Sequence, residues 1–259
     1  MNTNIELERK IVDTLAILLQ AERDFSPVVF ANSLGAEDMV LTDLIASYQV
    51  DIRMFSLDTG RLPKETYDLM QEVRQQYSIP LTVYFPDGKL VEEHVALHGI
   101  NGFYDSVKNR KDCCYVRKVE PLRRALADKG AWITGMRRDQ AVTRGKLEVS
   151  SFDTDHGLQK LNPLLDWSHQ DIWAYIRQHD VPYNKLHDQS YPSLGCAPCT
   201  RAVKPGEDIR AGRWWWEDPA SKECGLHVSH ARKVDAEVKS KEGAIRNAVQ
   251  IDVLESQTS

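Results

Sequence analysis

Short apolar runs alternate with amphipathic stretches through the first two thirds of the chain. Four runs and a weaker fifth have the length and composition of buried strands: residues 28–31, 52–57, 81–85, 132–136 and 158–161. Between them, apolar residues recur with helical spacing, most clearly over residues 39–48, 63–77, 116–126 and 168–179. Strands that alternate with helices pair in parallel through right-handed crossovers. The pattern therefore predicts an α/β fold with one open, doubly wound, mostly parallel sheet.

The same pattern divides the chain into four segments. Residues 1–25 are expected to form an N-terminal helix, and residues 26–181 to form the α/β domain. Residues 182–230 have little periodicity but contain three cysteines, several basic residues and a Trp triplet, so they are expected to form a functional segment folded against the sheet. Residues 231–259 are charged and are expected to be helical and then to fray.

Open sheets of this kind bind ligands outside the carboxyl ends of their strands. The loop from Ser33 to Asp38 follows the first predicted strand and precedes a helix. Backbone N–H groups at a helix N-terminus attract anions, and Gly35 permits a close backbone approach. On spacing alone an ordinary strand-to-helix turn is the better explanation of this loop, and Glu37 and Asp38 would then complement the helix dipole.

Composition and charge narrow the functional class. The chain has 259 residues, of which 42% are hydrophobic and 27% charged, and this is typical of a globular protein. The formal net charge of −5 disfavours a non-specific nucleic-acid binder. No apolar run approaches the roughly 18 residues of a membrane span, and the first residues have no signal-peptide pattern. These features predict a cytoplasmic enzyme that binds neither nucleic acid nor membrane.

The five cysteines fall into two tight pairs and a single residue. Cys113 and Cys114 are adjacent, Cys196 and Cys199 form a Cys-x-x-Cys pair, and Cys224 stands alone. An odd number of cysteines without a secretory signal does not indicate a disulfide framework. Thiolates are soft ligands that select zinc or iron–sulfur clusters. The spacing predicts a four-thiolate metal site plus one free, reactive thiol, with buried structural cysteines as the alternative.

The two cysteine pairs, followed by Glu-Cys-Gly-Leu-His at residues 223–227, resemble the adenylyl-sulfate (APS) reductase branch of the APS/PAPS reductase family. Further segments carry the same resemblance: Ser-Leu-Gly-Ala-Glu-Asp at 33–38, Leu-Asp-Thr-Gly-Arg at 57–61, Thr-Gly-Met-Arg-Arg-Asp-Gln at 134–140 and Arg-Ala-Gly-Arg-Trp-Trp-Trp-Glu at 210–217. The resemblance covers about residues 26–228. It implies an adenine nucleotide alpha hydrolase-like fold in which residues 33–38 form a modified pyrophosphatase-type loop and residues 26–181 bind a nucleotide.

The resemblance implies the cofactor and the reaction. The cofactor would be a [4Fe–4S] cluster, and its protein ligands would be Cys113, Cys114, Cys196 and Cys199. The reaction would reduce APS to sulfite and AMP in sulfate assimilation, with thioredoxin or glutaredoxin as the thiol donor and Cys224 as the nucleophile that becomes S-sulfonated. His227 is the second candidate catalytic residue. The cluster is expected to act electrostatically and structurally, and the oligomeric state is left open.

The resemblance also implies a substrate site. Loop 57–61 would lie by the adenosine, and Lys118, four residues after Cys114, would lie between cluster and substrate. Arginine guanidinium groups bind phosphate and sulfate through paired hydrogen bonds. The Trp triplet at residues 214–216 is expected to pack rather than to stack on adenine. The candidate substrate-binding residues are Ser33, Gly35, Leu57, Thr59, Gly60, Lys118, Gly135, Arg137, Arg144, Arg210 and Arg213.

Three alternatives remain at this stage. A PAPS reductase, or an enzyme that accepts both nucleotides, is the nearest, although cluster-free PAPS reductases lack the two cysteine pairs. An ATP pyrophosphatase-type enzyme on the same sheet would require a Ser-Gly-Gly-x-Asp-Ser loop, from which residues 33–38 depart. A zinc-stabilised nucleotide-binding protein is disfavoured by the adjacent cysteines, because structural zinc sites usually repeat Cys-x-x-Cys.

Overall fold

The computed structural model describes residues 2–140 and 147–218. Its strands are β1 Val28–Ala31, β2 Arg53–Leu57, β3 Leu81–Tyr84, β4 Ala131–Ile133, β5 Ser150–Asp153 and β6 Leu158–Leu161. In the described residues they form one six-stranded sheet in the order β3-β2-β1-β4-β6-β5. Neighbouring strands pair in parallel except β5, which runs antiparallel to β6. The predicted α/β fold with a mostly parallel sheet is confirmed.

Helices cover both faces of this sheet. They are α1 Asn2–Phe25, α2 Ala36–Ser47, α3 Lys64–Gln76, α4 Gly88–His98, α5 Val107–Cys114, α6 Glu120–Leu126 and α7 His169–Gln178. Among the described helices, none combines the length and the apolar composition that crossing a bilayer requires.

Two separate cores result from the alternation of side chains along the strands. Val28 and Phe30 of β1 pack into a large core that includes residues of α1, α2, α3 and α7. Val29, between them, faces the opposite side and packs with Leu122 and Leu126 of α6. Successive strand residues point to opposite faces, so a strand covered on both sides is apolar without interruption. This explains why residues 28–31 appear in the sequence as a continuous apolar run.

The helix predicted over residues 116–126 consists of two different pieces. Residues Tyr115–Val119 form a π-helical turn, and α6 begins only at Glu120. Pro121 has no N–H to donate, and inside an α-helix its ring clashes with the carbonyl four residues earlier. The proline instead occupies the first turn of α6, where a missing N–H is tolerated.

The described part of the segment after α7 folds back onto the domain and builds a small third core. The amide of Asn184 donates to Oγ1 of Thr66 at 3.0 Å, and the backbone N–H of Ala197 donates to the carbonyl of Arg61 at 2.8 Å. The third core contains four buried residues, Phe103, Cys196, Cys199 and Trp214. Residues from this segment therefore reach the carboxyl edge of the sheet.

Candidate active site

A cleft of about 1580 Å³, partly open to solvent, lies at the carboxyl ends of β1, β2 and β4. Strand β1 lies between β2 and β4, so the cleft occupies the switch point at which open α/β sheets bind ligands. Most of the predicted substrate-binding residues line it: Ser33, Gly35, Leu57, Thr59, Lys118, Gly135, Arg137, Arg210 and Arg213. Gly60 is not part of this lining.

A buried carboxylate joins two of the loops at the cleft. Asp38 accepts hydrogen bonds from the backbone N–H and the hydroxyl of Ser33, at 2.7 and 2.5 Å, and from the backbone of Gly135. Burial raises the pKa of Asp38 to about 6. A Cβ on residue 135 would collide with this carboxylate, so glycine is required there by close approach. Hydrogen bonds to Asp38 thus hold Ser33 and Gly135 in fixed positions relative to each other.

The neighbouring acid holds the predicted arginine. The guanidinium of Arg137 lies 2.9 Å from Oε1 of Glu37, and its Nη1 donates to the carbonyl of Trp167 at 3.2 Å. The side chain of Arg137 is 2% exposed, while that of Glu37 is 18% exposed. Arg137 therefore contributes to the cleft wall from a position already fixed by an ion pair, which the sequence did not reveal.

The remaining cations reach the cleft from outside the sheet. Lys118 is supplied by the π-helical turn, and Arg210 and Arg213 by the segment after α7. Arg213 donates to the carbonyl of Leu194, and its guanidinium lies 4.8 Å from the ring centroid of Trp214. These side chains place positive charge opposite the strand ends, although the chain as a whole is acidic. Such a cleft suits a small anionic ligand.

Loop 57–61 has the geometry of a tight turn. Gly60 has a φ of +69°, and its N–H donates to Oδ1 of Asp58 at 2.7 Å. Thr59 carries the functional contacts of the loop, because its hydroxyl lies 3.2 Å from Sγ of Cys196 and its carbonyl accepts from Arg117 at 2.7 Å. The loop is therefore a tight turn that also contacts the cysteine side of the site through Thr59.

The four predicted metal ligands line a second, smaller cavity. None of them forms a disulfide. Burial raises the pKa of Cys113, and it raises that of Cys199 to about 12. Thiols in such a site become thiolates only when a cation binds them. The lining residues are Arg61, Phe103, Arg110, Cys113, Cys114, Arg117, Lys118, Cys196, Pro198, Cys199 and Trp214.

The chemistry of this donor set fits an iron–sulfur cluster. Four cysteine thiols line one cavity, and thiolates are the soft ligands that hold such clusters. The cations on the cavity wall would balance the negative charge of four thiolates.

The two cavities share a wall. Lys118 and Trp214 line both of them, and the Thr59–Cys196 contact connects the loop after β2 to the cysteine side. Trp214 is buried, and the guanidinium groups of Arg110 and Arg213 lie over its ring, at 4.6 and 4.8 Å from the ring centroid. The expected packing role of Trp214 agrees with this arrangement, but its position between the cavities was not foreseen.

Several site residues were missed from the sequence. Arg61, Arg110 and Arg117 face the cysteine cavity, and the signal was present for Arg110 because it precedes Cys113 by three residues in one helix. His169 and His187 line the cleft, and burial lowers the pKa of both. A lone histidine in a sequence gives no comparable signal.

Three predicted site residues lie outside the described residues. They are Arg144, Cys224 and His227. Asp218, the last described residue, precedes Cys224 by six positions.

Comparison with known sequences gives consistent results. A profile of the phosphoadenosine phosphosulfate reductase domain matches residues 27–202. An adenosine 5'-phosphosulfate reductase from Allochromatium vinosum is 54% identical over 213 residues, which cover 82% of this chain and 83% of that protein. The enzyme of the same name from Burkholderia cepacia is 50% identical over 235 residues, covering 91% of this chain and 94% of that protein.

Solved structures agree on the fold. A phosphoadenylyl-sulfate (PAPS) reductase from Candida auris, solved as a phosphate complex, superposes with a TM-score of 0.63 at 30% identity, covering 73% of this chain and 90% of that one. An FMN adenylyltransferase from Candida glabrata superposes with a TM-score of 0.55 at 17% identity, covering 90% of this chain and 82% of that one. The second likeness concerns the fold alone.

Proposed function

The chain belongs to the phosphoadenosine phosphosulfate reductase family and to its adenosine 5'-phosphosulfate reductases, and from that premise we propose that it reduces adenosine 5'-phosphosulfate (APS) to sulfite and AMP. Membership of this family makes the protein an oxidoreductase. The observation that carries the proposal is the shared wall between the cationic cleft and the four-cysteine cavity, formed by Lys118 and Trp214. A cleft for an anionic nucleotide that adjoins a soft-ligand site fits this reaction better than the alternatives considered from the sequence.

In the proposed complex, APS lies along the carboxyl edge of the sheet. The nucleoside occupies the part of the cleft bordered by Ser33, Gly35, Leu57 and Thr59. The phosphate and sulfate groups face Lys118, Arg210 and Arg213, whose cations offset the charge of the ligand. Arg137, held by Glu37, adds a fixed positive charge at the rim, and Arg144 belongs to the same predicted set.

The first half-reaction transfers the sulfonate group to the enzyme. The thiolate sulfur of Cys224 attacks the sulfur of APS, a new S–S bond forms, and the bond from sulfur to the bridging oxygen breaks. Its electron pair stays on AMP, a stable phosphate anion that needs little acid assistance. His227, three residues after Cys224, is proposed to orient this thiol or the sulfonate.

The second half-reaction uses two external thiols. One thiolate of the donor attacks Sγ of the S-sulfonated Cys224, and sulfite leaves with the electrons of the S–S bond. The second donor thiol then resolves the mixed disulfide, so that Cys224 returns as a thiolate and the donor becomes a disulfide. A dithiol protein of the thioredoxin or glutaredoxin class is the proposed donor, in a reducing cytoplasm where such thiols persist.

The four cavity cysteines, Cys113, Cys114, Cys196 and Cys199, are proposed to hold a [4Fe–4S] cluster. Once bound, the cluster supplies fixed charge and cross-links the two cysteine-bearing segments. Within this chain, the side chain of Lys118 extends along the boundary of both cavities, and the hydroxyl of Thr59 lies against Cys196. We propose that residues 182–230 complete the cluster site and carry the nucleophile.

We propose a preference for APS over PAPS. The loop after β1 contributes the acidic groups Glu37 and Asp38 to the cleft lining, and neither this loop nor the loop after β2 contributes a cation to that lining. Additional phosphate charge near these carboxylates would be repelled. The Candida auris enzyme is named a PAPS reductase. For this reason, reduction of both APS and PAPS is the second candidate function.

Single-turnover mass spectrometry tests the proposal. The protein is mixed with APS in the absence of thiol, and the reaction is quenched. The masses of the intact chain and of its peptides are then measured. We expect a sulfonate adduct on the Cys224 peptide, an equal amount of AMP, and sulfite only after a dithiol is added. The matched control, Cys224→Ser, should form no adduct and release no AMP. Immediate sulfite release without thiol, or an adduct on another cysteine, would refute the assignment.

A further inference from the structure

Helix α1 has two apolar faces. One packs into the large core, through residues such as Leu7 and Leu18. The second is a stripe of three aliphatic residues, Ile5, Val12 and Leu19, which are 72%, 62% and 50% exposed. A helix that packs against a single core needs only one apolar face. Within the part of the chain that the structure describes, the stripe therefore lies on the surface without an element to cover it.

The spacing of the stripe is that of a coiled-coil seam. Its residues are seven positions apart. Seven residues make almost two helical turns, so the three side chains lie along one line of the helix. Ala16, four residues after Val12, is exposed beside this line, and its small side chain permits close approach. Apolar residues repeated at this interval let two helices pack layer against layer.

The charged residues beside the stripe differ in sign on its two flanks. Arg9 and Arg23 each follow a stripe residue by four positions and lie on one flank. Glu8 and Glu22 each follow a stripe residue by three positions and lie on the other flank. If two copies of α1 pack in parallel about a two-fold axis that runs along them, the basic flank of each copy faces the acidic flank of the other. An antiparallel pair would bring flanks of like charge together.

The contacts that these charges already make are weak. Glu8 accepts from Nε2 of Gln178 at 3.5 Å, and Arg23 contacts the adjacent Asp24 in an exposed pair. Exposed contacts of this kind hold a side chain only loosely. Arg9 and Glu8 are themselves exposed. Both flanks can therefore meet a second copy without disrupting the fold.

We propose that this stripe is an interface between two copies of the chain, which associate through parallel α1 helices. Ile5, Val12 and Leu19 of each copy would pack against the same residues of the other, and the flanking charges would fix the parallel orientation. A membrane surface is a poorer occupant, because anionic lipid attracts helices with an excess of Lys and Arg, whereas acidic and basic residues flank this stripe in equal number. One helix pair is smaller than a standard interface of about 800 Å² per partner, so the dimer should dissociate in the micromolar range.

Sedimentation equilibrium of the full-length protein over roughly 1–200 µM measures this association. Val12→Asp places two charges in the seam of each dimer and should weaken association about 100-fold or more. The matched control is Leu97→Asp, which changes an aliphatic residue that is 77% exposed on α4 and should leave association unchanged. Because Val12 and Leu97 are exposed, both variants should keep the wild-type circular dichroism spectrum and thermal midpoint.

Exchange of the flanking charges tests the orientation. Arg9→Glu places like charges opposite each other twice in a parallel dimer and should weaken association by about 3- to 10-fold. The double variant Glu8→Arg/Arg9→Glu restores opposite charges in reversed order and should return the dissociation constant to within about twofold of wild type. A merely structural effect of Arg9→Glu would persist in the double variant.

Disulfide formation tests the same orientation directly. Ile5→Cys, Val12→Cys and Leu19→Cys should each link two copies on mild oxidation, because a parallel pair places each of these residues opposite itself. In an antiparallel pair centred on Val12, the two copies of residue 5 would be about 21 Å apart and could not link. The oxidised wild type accounts for links through the native cysteines, and peptide mass spectrometry identifies each bond.

The possible results separate this interface from its alternatives. Wild-type protein that remains monomeric throughout the concentration range, or a dimer that survives Val12→Asp, would overturn the proposal. Linkage at residue 12 alone, or failure of the double charge variant to restore association, would refute the parallel arrangement. A monomer that co-sediments with anionic phospholipid vesicles would assign the stripe to a membrane surface instead.

Discussion

Replacing Glu37 with glutamine should destabilise the protein by about 2–3 kcal/mol. The substitution removes the charge that faces Arg137 at 2.9 Å, whose side chain is 2% exposed. The carbonyl of Trp167, at 3.2 Å, remains as a hydrogen-bond acceptor, and the largely exposed carboxylate of Asp139, at 3.8 Å, remains as a weaker ion-pair partner. Breaking a fully buried pair costs roughly 3–5 kcal/mol. Glu37 itself is 18% exposed, so water reduces the expected cost.

Urea unfolding of the wild type and the variant at pH 7.5 measures this difference. The matched control is Asp68→Asn, which breaks the contact of Asp68 with Lys64, where both side chains are largely exposed. An exposed pair of this kind contributes little to stability, because water screens the two charges. The midpoint should therefore shift clearly for Glu37→Gln and hardly at all for the control, with similar denaturant slopes.

A double variant separates stability from ligand binding. In Arg137→Met/Glu37→Leu no charge is left unpaired, so the loss of stability should be smaller than in Glu37→Gln. The double variant also removes a cation from the cleft, so it should raise the KM for APS more than Glu37→Gln does. Equal midpoints for Glu37→Gln and the Asp68→Asn control, or a double variant less stable than the single one, would refute the reasoning.

Three further predictions concern the metal, the substrate and pH. A serine at any one of the four cavity cysteines should abolish bound iron and visible absorbance, because a hydroxyl is a poor iron ligand, while Cys224→Ser should keep both. Competition between the nucleotides should give a higher kcat/KM for APS than for PAPS. Equal values would refute the inference that the acidic loop after β1 disfavours PAPS. Burial raises the pKa of Asp38 to about 6, above its usual value of 3.8, so the folded state binds the proton more tightly. Stability from this group is therefore gained as pH falls through 6 and lost as pH rises, by about 1 kcal/mol between pH 5.5 and 7.5. The urea midpoint of the wild type relative to that of Asp38→Asn should therefore fall as pH rises from 5.5 to 7.5. A difference between the two midpoints that does not change with pH would contradict this prediction.

Strands β1 and β4 were predictable because burial on both faces leaves a continuous apolar run. Strand β5 was missed, since its residues, Ser150–Asp153, lie at the sheet edge and alternate between exposed and half-buried positions with mostly polar side chains. Helix α4 was missed for a related reason, because it buries none of its residues completely. An element that buries little apolar surface leaves little pattern in its sequence.

The candidate site was predictable in its residues but not in its contacts. Spacing grouped the cysteines into pairs, and family resemblance brought the pairs together; neither showed that Lys118 and Trp214 border both cavities. The sequence also predicted a regular helix through Lys118, where the structure has a π-helical turn. Long-range partners such as Glu37 and Arg137 depend on chain topology, which residue spacing does not encode.

The separation of the cores has a consequence for how the protein matures in the cell. The two sheet cores contain none of the four cavity cysteines, whereas the third core contains Cys196 and Cys199 together with Phe103 and Trp214. We therefore expect the sheet domain to fold in the absence of iron, and the proposed cluster to be inserted into this preformed scaffold. Loss of iron under oxidative damage should likewise loosen only this small lobe. Such a protein could be repaired by reinserting its cofactor, without degradation and resynthesis of the chain.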